Sequence, residues 1–487
     1  MEDIFSADRV ERVAALRSSG IEPYPARVPK NRMLAAEILA LGEKNYGTEV
    51  RVSGRIMGRR GYGKLAFLDL VDGSGRIQIC LQKEHLSDEN FALLGQLNRG
   101  DFIFVEGEFK ATDKGEPTVY GNSITLLAKS LLDPPEKRKG LEDPELRARL
   151  RYVDLFTDNE VQKRFLARSA LTEAVRKELL SRCFVEVETP VLHPLYGGAF
   201  ARPFTTHHQS LDMELFLRIA PELYLKRLLV GGIERVFEFA RVFRNEGLST
   251  RHNPEFTMLE LYQAHTDYAG MIEIVEALVP AACLAAGNDK LTATWKNQTW
   301  SLEPPYPQKA YGELFLEHAS CDIHNESAVH TALKEHNISV EGDDEGSWWK
   351  AVNDLFEATV EPTLQDPVFV IDYPAPVSPL AKVSPNDTNV AERFEFFLGG
   401  MELGNAFTEL NDPEQQLANF EAQAVSSDPD SPRIIDRDYV RALAYGMPPA
   451  GGLGLGIDRL AMVILGCDTI REVLLFPHLR PEYGAEA

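Results

Sequence analysis

The densest concentration of reactive side chains lies between Arg235 and Tyr262, in RVFEFARVFRNEGLSTRHNPEFTMLELY. Two alternating runs flank a loop carrying Arg244, Asn245, Glu246, Arg251, His252, Asn253 and Glu255, the pattern of a hairpin with a polar tip. A solvated tip explains a polar loop, but it does not require cations and aromatics on the strands themselves. Arg244 presents a planar fork that fits a phosphate, and Phe256 a flat face that suits a purine. Towards the C-terminus, GGLGLGIDRLAMVIL sets Gly452, Gly454 and Gly456 at alternate positions before Asp458 and Arg459, which open an apolar helix. Glycines let a strand approach a ligand closely, and an Arg at a helix start adds charge to an anion site that the helix dipole already favours. Between the two, RFEFFLGGMELGNAFTELND supplies Glu395 and Glu402, hard donors that could share a divalent ion, while Asn405, Phe407 and Glu409 alternate along one strand face. Taken singly, each acid reads more readily as a surface carboxylate.

The elements that must position these groups belong to a chain of 487 residues and 54.4 kDa, enough for roughly two to four domains. With 44% hydrophobic and 26% charged residues the composition is that of a globular protein. The formal net charge of -23 argues against nonspecific adhesion to nucleic acid or to an anionic membrane, so any nucleic-acid contact must be local. The longest apolar stretch, Ala277 to Ala286, is about ten residues and contains Pro280, too short for a span, so no membrane helix is expected. The opening MEDIFSADRVERV lacks the basic and apolar regions of a secretory signal. Cys80, Cys183, Cys283, Cys321 and Cys467 are scattered, without a CxxC pair, and read as reduced thiols of a cytoplasmic protein.

Residues 8–17 place Val10, Val13 and Ala14 on one helical face, with Arg9, Arg12 and Arg17 mostly off it. From Arg51 to about Leu127 the pattern changes to five short alternating strands, with a helical segment around His85 to Leu97, which fits an oligonucleotide-binding (OB) barrel. Its first strand and turn carry Arg51, Arg55, Arg59, Arg60 and Lys64 and no acid, a basic patch that a solvated edge strand would also explain. GRRGYGK, from Gly58 to Lys64, nearly spells a phosphate loop, but Leu65 stands where a hydroxyl is needed and a strand follows, so that reading fails. Leu131 to Phe156 is rich in Pro and charge and reads as a connector. Beyond it, long helical patterns and strands without regular βαβ alternation favour an α+β domain with an antiparallel sheet. The expected boundaries are a helical extension over 1–45, the OB-fold over 46–132, a linker over 133–155 and the main domain over 156–487, with about 285–365 a helical insertion.

Three segments together resemble the class II aminoacyl-tRNA synthetases. CFVEVETPV, with Pro190, is similar to motif 1; FRNEG through RHNPEF to motif 2; GLGLGIDR to motif 3. A preceding OB barrel points to the subclass of lysyl, aspartyl and asparaginyl enzymes. In PELYLKR, Glu222 stands where the aspartyl and asparaginyl families usually carry Gln, and Leu225 where the aspartyl family places a substrate-binding Lys, so the cation that aspartate needs is absent from that position. LRIAPELYLKRLLVGG and AFTELND resemble the lysyl-tRNA synthetase family. One departure is Ala406, where some bacterial members have Gly.

The resemblance implies ATP-dependent activation of L-lysine with release of pyrophosphate, then transfer of lysine to the 3′ end of tRNA(Lys). It implies Arg244 and Arg459 as catalytic residues that steady the α- and γ-phosphates, and Glu246, His252, Asn253 and Phe256 as further ATP contacts. It assigns Mg²⁺, two to three ions with ATP, to Glu395 and Glu402. Glu222 with Gly198 would take the α-ammonium of lysine, Glu409 with Tyr262 the ε-ammonium, and Asn405 with Arg244 the carboxylate, while Phe407 covers the methylenes and Glu260 completes the set. Phe67, Gln78 and Glu116 match anticodon readers, and Arg9, Arg12 and Arg17 are expected to add phosphate contacts. A homodimer through motif 1, in the cytoplasm and away from membranes, is also implied. The rivals are an aspartyl or asparaginyl enzyme, a paralogue that transfers lysine to protein, and an inactive RNA-binding relative.

Overall fold

The computed structural model describes residues 4–61, 63–135, 140–340, 342, 345–425 and 434–481. Residues 1–3, 62 and 136–139 lie outside them, and with them parts of the leading segment, the GRRGYGK turn and the connector. The chain divides into two compact units, Met1–Asn159 and Glu160–Ala487.

In the first unit the alternating runs form the strands Thr48–Arg60, Leu65–Asp72, Gly75–Gln82, Phe102–Ala111 and Pro117–Ala128, closed into a barrel. Val50, Val52, Leu68, Leu70, Ile77, Ile79, Ile103, Val105 and Val119 point inward and are buried, each such side chain contributing about 1.5–3 kcal/mol. The helix Asp88–Gln96 interrupts the strands, its start capped by the Ser87 hydroxyl, which accepts from Asn90 N at 3.2 Å.

Two expectations about cations change here. The leading helix, Ala7–Ser18, buries Arg9, Val13 and Leu16, while Val10 is 44% exposed. Arg9 donates to the carbonyls of Arg99 at 3.0 Å and Ser130 at 2.9 Å and pairs with Asp133. It is therefore a buried clamp rather than a phosphate contact. The basic first strand is matched by acids from other strands: Arg51 pairs with Glu106 at 2.6 Å and Arg60 with Asp69 at 3.4 Å, and Arg59 donates to Leu97 O at 2.6 Å. Arg55 lies over the rings of Phe102 and Phe156, 4.4 and 4.2 Å from their centroids.

The second unit is built on an eight-stranded sheet. Its order is Gln308–Ala310, Val368–Pro374, Val390–Phe397, Glu402–Thr408, Ala450–Gly456, Glu255–Ala264, Arg235–Phe243, Val185–Glu186. The inner six strands are antiparallel and the two outermost pairings parallel. The helices Asn159–Ser181, Tyr268–Ala285 and Ile457–Ile464 share one core with the sheet, through Leu171, Val175, Met271, Val275, Leu278, Leu460 and Val463 among others. Tyr268–Ala285 continues through Pro280 and is long and apolar enough by composition to cross a membrane. A helical pattern over Gly270 to Ala286 is legible in the sequence, close to these bounds, but its longest apolar stretch reads as too short for a span. Its burial against the sheet accounts for its apolarity, because a helix enclosed on several sides has little polar face to show.

The segment 285–365 is not wholly helical. It opens with the hairpin Thr292–Trp295 and Gln298–Ser301 and supplies the edge strand Gln308–Ala310. Only then come the helices Tyr311–Ala319, Glu326–Glu335 and Glu345–Thr359, around a separate core containing Tyr311, Phe315, Val352 and Phe356.

Candidate active site

Four adjacent strands form the floor of a cavity of about 340 Å³. Antiparallel register sets Glu260 opposite Gly454, Gly454 opposite Asn405, and Asn405 opposite Glu395. The next row runs Tyr262, Gly452, Phe407, Arg393. Cross-strand partners share a face of the sheet, so all these residues line one surface, and the glycines keep its middle low. A side chain at Gly452 would collide with Glu409 Oε1 and the Tyr262 ring. One at Gly454 would meet no protein atom closer than Met258 Sδ at 3.6 Å and would stand in the open cavity.

Arg244, Glu246, His252, Asn253, Phe256, Glu395, Glu402 and Arg459, the residues expected at a nucleotide, all line this cavity. Arg244 lies 5.3 Å from the Phe256 ring centroid. Arg459 donates to Glu402 Oε2 and to His252 Nε2, each at 3.0 Å. Nε2 must therefore be the acceptor, and burial, with Arg459 and Arg251, pulls the His252 pKa down, so this imidazole is neutral. Asn253 lines the wall, but its side-chain amide donates to Glu255 O at 2.6 Å and accepts from His478 N at 3.2 Å, so it shapes the site through protein contacts.

Glu395 accepts from Arg393 at 2.5 Å and from Tyr373 at 2.8 Å. Burial raises its pKa, Arg393 opposes this, and Glu402 adds to it. Burial similarly pushes Glu357 up to about 7 and Glu361 up to about 8, with Glu395 and Glu402 contributing to both. Glu395 and Glu402 both line the cavity and offer the hard carboxylate oxygens that Mg²⁺ prefers, while among the described residues no cluster of three or more His, Cys, Asp or Glu is arranged to hold a metal ion by itself.

At the other end, Gly198, Glu222, Glu260, Tyr262, Asn405 and Phe407 line the cavity. Glu409 does not: it is 0% exposed, just behind Gly452. Its Oε2 pairs with Lys226, while its Oε1 has no hydrogen-bond donor among the described residues. Glu260 accepts from Tyr262 Oη at 3.0 Å. Burial and the nearby Glu222 push Glu260 up to about 8 against the pull of Tyr262 and Arg244.

Three groups were missed by reading residues along the chain. Lys226, one position after the Leu225 that argued against a cation, sends a buried ammonium between Glu222, at 2.5 Å, and Glu409. The cation absent from position 225 is thus present beside it, but two carboxylates claim it. Arg393 joins Glu395 to Asn405, donating to Asn405 Oδ1 at 3.0 Å and to Ser378 Oγ at 3.1 Å. Its position two residues before Glu395, on the same strand face, was the available signal. Asp458, noted only as opening a helix, is buried. It accepts from Thr257 N at 2.7 Å and Arg168 at 2.5 Å, tying the hairpin strand to two helices.

In the barrel unit, Phe67 and Gln78 share a face, since the strand register pairs Asp69 with Gln78 and Phe67 with Cys80. Arg60 donates to Gln78 Oε1 at 2.8 Å, and Gln78 donates to Thr118 Oγ1 at 2.9 Å. Glu116 is exposed and lies 3.4 Å from Arg76.

The family model described as tRNA synthetases class II (D, K and N) matches residues 143–480, and an OB-fold nucleic acid binding domain model matches 50–127. The chain is 46% identical to the lysine–tRNA ligase of Pelotomaculum thermopropionicum, over 99% of this chain and 96% of that protein. It is 46% identical to that of Carboxydothermus hydrogenoformans, over 97% of each. With that of Chloroflexus aurantiacus the identity is 44%, over 98% of each.

Proposed function

The chain belongs to the class II tRNA synthetases, within the lysine–tRNA ligase family, and from that premise we propose how its residues divide the work. The reaction activates L-lysine with ATP to lysyl-adenylate, releasing pyrophosphate, and then transfers lysine to tRNA(Lys). The first step is in-line attack of the lysine carboxylate on the α-phosphate, and catalysis is positioning and charge neutralisation, without a protein nucleophile. Arg244, which lines the cavity beside Phe256, steadies the α-phosphate and the attacking carboxylate. Phe256 stacks on adenine, while Arg459, held by Glu402 and His252, reaches the γ-phosphate. Glu395 and Glu402 would hold Mg²⁺, which would supply Lewis-acid neutralisation of phosphate charge.

Glu222 and Glu260 receive the α-ammonium beside Gly198. Asn405, oriented by Arg393, takes the carboxylate, and Phe407 covers the methylenes. The ε-ammonium ends at Tyr262 and Glu409. The observation that carries this reading is Glu409 Oε1: a fully buried carboxylate oxygen that no donor among the described residues reaches, beside a glycine of the cavity wall, suits a cationic ligand tip. Phe67, Gln78 and Glu116 read the anticodon through stacking and base edges, as single-stranded RNA is read on this fold. We assign the protein to the cytoplasm, in keeping with its five free thiols. We also assign it a homodimer, in keeping with Leu166, Leu180, Val185 and Leu192 exposed on the long helix and the strands after it. The test is lysine-dependent ATP–pyrophosphate exchange: Arg244→Ala abolishes it, and near-normal exchange by that variant would refute the assignment.

A further inference from the structure

The amino-acid end of the cavity contains a cation that this division of labour leaves without a role. We propose that Lys226 is a positioning and specificity residue for lysine, its ammonium gripping the inner oxygens of Glu222 and Glu409 so that their outer oxygens face the substrate's two ammonium groups. The inference rests on the reading that these two glutamates receive lysine.

The geometry is specific to each oxygen. Lys226 Nζ lies 2.5 Å from Glu222 Oε1 and pairs with Glu409 Oε2, with its side chain 0% exposed. Glu222 Oε2 lies on the Gly198 side, 3.7 Å from where a β-carbon on that glycine would stand. Glu409 Oε1 lies against Gly452. Gly198 and Gly452 both belong to the cavity wall. Each carboxylate therefore gives one oxygen to Lys226 and turns the other towards the cavity. The rings of Phe407 and Tyr262, with centroids 5.2 and 5.9 Å from Nζ, hold the ammonium from the sides.

Charge counting separates this arrangement from an ordinary structural pair, which would be one to one. Here Glu222, Glu260 and Glu409 face Lys226 and Arg244, which leaves one negative charge with all groups ionised. Lysine, with two ammonium groups and a carboxylate, brings one positive charge and completes the balance. Burial pulls the Lys226 ammonium down, and Glu222, Glu409 and the facing Tyr439 more than reverse that. Burial also pushes the Glu409 carboxyl well up, with Glu222 and Glu260 adding to it, and Lys226 is the cation opposing that push. Without Lys226, one of the two glutamates takes up a proton at neutral pH, and one substrate ammonium loses its ionic partner.

The test uses Lys226→Met and Lys226→Gln in the full-length protein, assayed by pyrophosphate exchange from pH 6 to 8. The expected result is a rise of about 10- to 100-fold in KM for lysine at neutral pH, with KM for ATP within about twofold. That KM falls more steeply with rising pH than in the wild type, by about one additional proton. An unchanged KM for lysine at every pH would overturn the proposal. So would a loss in kcat alone with the wild-type pH profile, the signature of a merely structural lysine. Glu222→Gln and Glu409→Gln are assayed alongside. If both keep the wild-type KM, the lysine-site reading fails; if they lose it while the Lys226 variants do not, only the role of Lys226 fails. Should neither Lys226 variant fold, calorimetry of lysine binding to the wild type at neutral pH, in buffers of different ionisation enthalpy, decides. Release of about one proton or less, attributable to Glu260, supports the proposal, and release of about two or more overturns it.

Discussion

Replacing Gly454 by Ala puts one methyl group on the floor of the cavity without disturbing the fold. The glycine is not in the left-handed region, and the added carbon would lie 3.6 Å from Met258 Sδ, 3.9 Å from Asn405 O and 4.0 Å from Glu260 Cγ, all ordinary contacts. Loss of glycine's freedom in the unfolded chain then stabilises the protein by about 0.4–1 kcal/mol. The same methyl stands between Glu260 and Asn405, in the space the proposed lysine site occupies. Overfilling a packed contact costs about 1–3 kcal/mol, or roughly 5- to 150-fold in kcat/KM. Gly452→Ala is the contrasting case, because its methyl strikes Glu409 and Tyr262 themselves and so lowers both stability and lysine activation. Differential scanning fluorimetry without ligand and pyrophosphate exchange with lysine varied read the two effects separately. If Gly454→Ala folds normally and keeps its kcat/KM for lysine within about twofold, the row of Glu260, Gly454 and Asn405 is not where the substrate sits.

The other predictions concern protons and division of labour. Glu260, lifted from 4.5 to about 8 by burial, holds in the folded protein a proton that the unfolded chain releases. It therefore makes stability fall as pH rises between those values, and lysine, by favouring the ionised form, offsets the fall. The thermal shift produced by saturating lysine should accordingly grow from pH 6 to pH 8, and a shift that is flat or shrinking over that range would contradict the assignment of Glu260. In the barrel, Phe67→Ala should weaken tRNA charging while leaving lysine-dependent pyrophosphate exchange intact, and equal loss of both would count against the proposed separation of roles.

What the sequence by itself determined are the features written in local periodicity and residue chemistry. Five alternating runs were enough for the barrel because its interior accepts every second residue. The hairpin, the glycine strand and the helix that starts at Ile457 were legible for the same reason, and their side chains converge because an antiparallel sheet sets partners of known register side by side. What only the tertiary structure decided is which charges meet. Arg9 looked like a solvent-facing cation and is enclosed by Ser130, Arg99 and Asp133; in the run from Arg51 to Lys64, which carries no acid of its own, Arg51 and Arg60 pair with Glu106 and Asp69 from neighbouring strands. The segment 285–365 was unreadable because its edge strand is stabilised by pairing with Val368–Pro374 rather than by any pattern of its own. Lys226 was passed over because its partner Glu409 lies far along the chain. Coulomb energy depends on distance and dielectric, and both are set only when the fold brings an ammonium and two carboxylates together out of water.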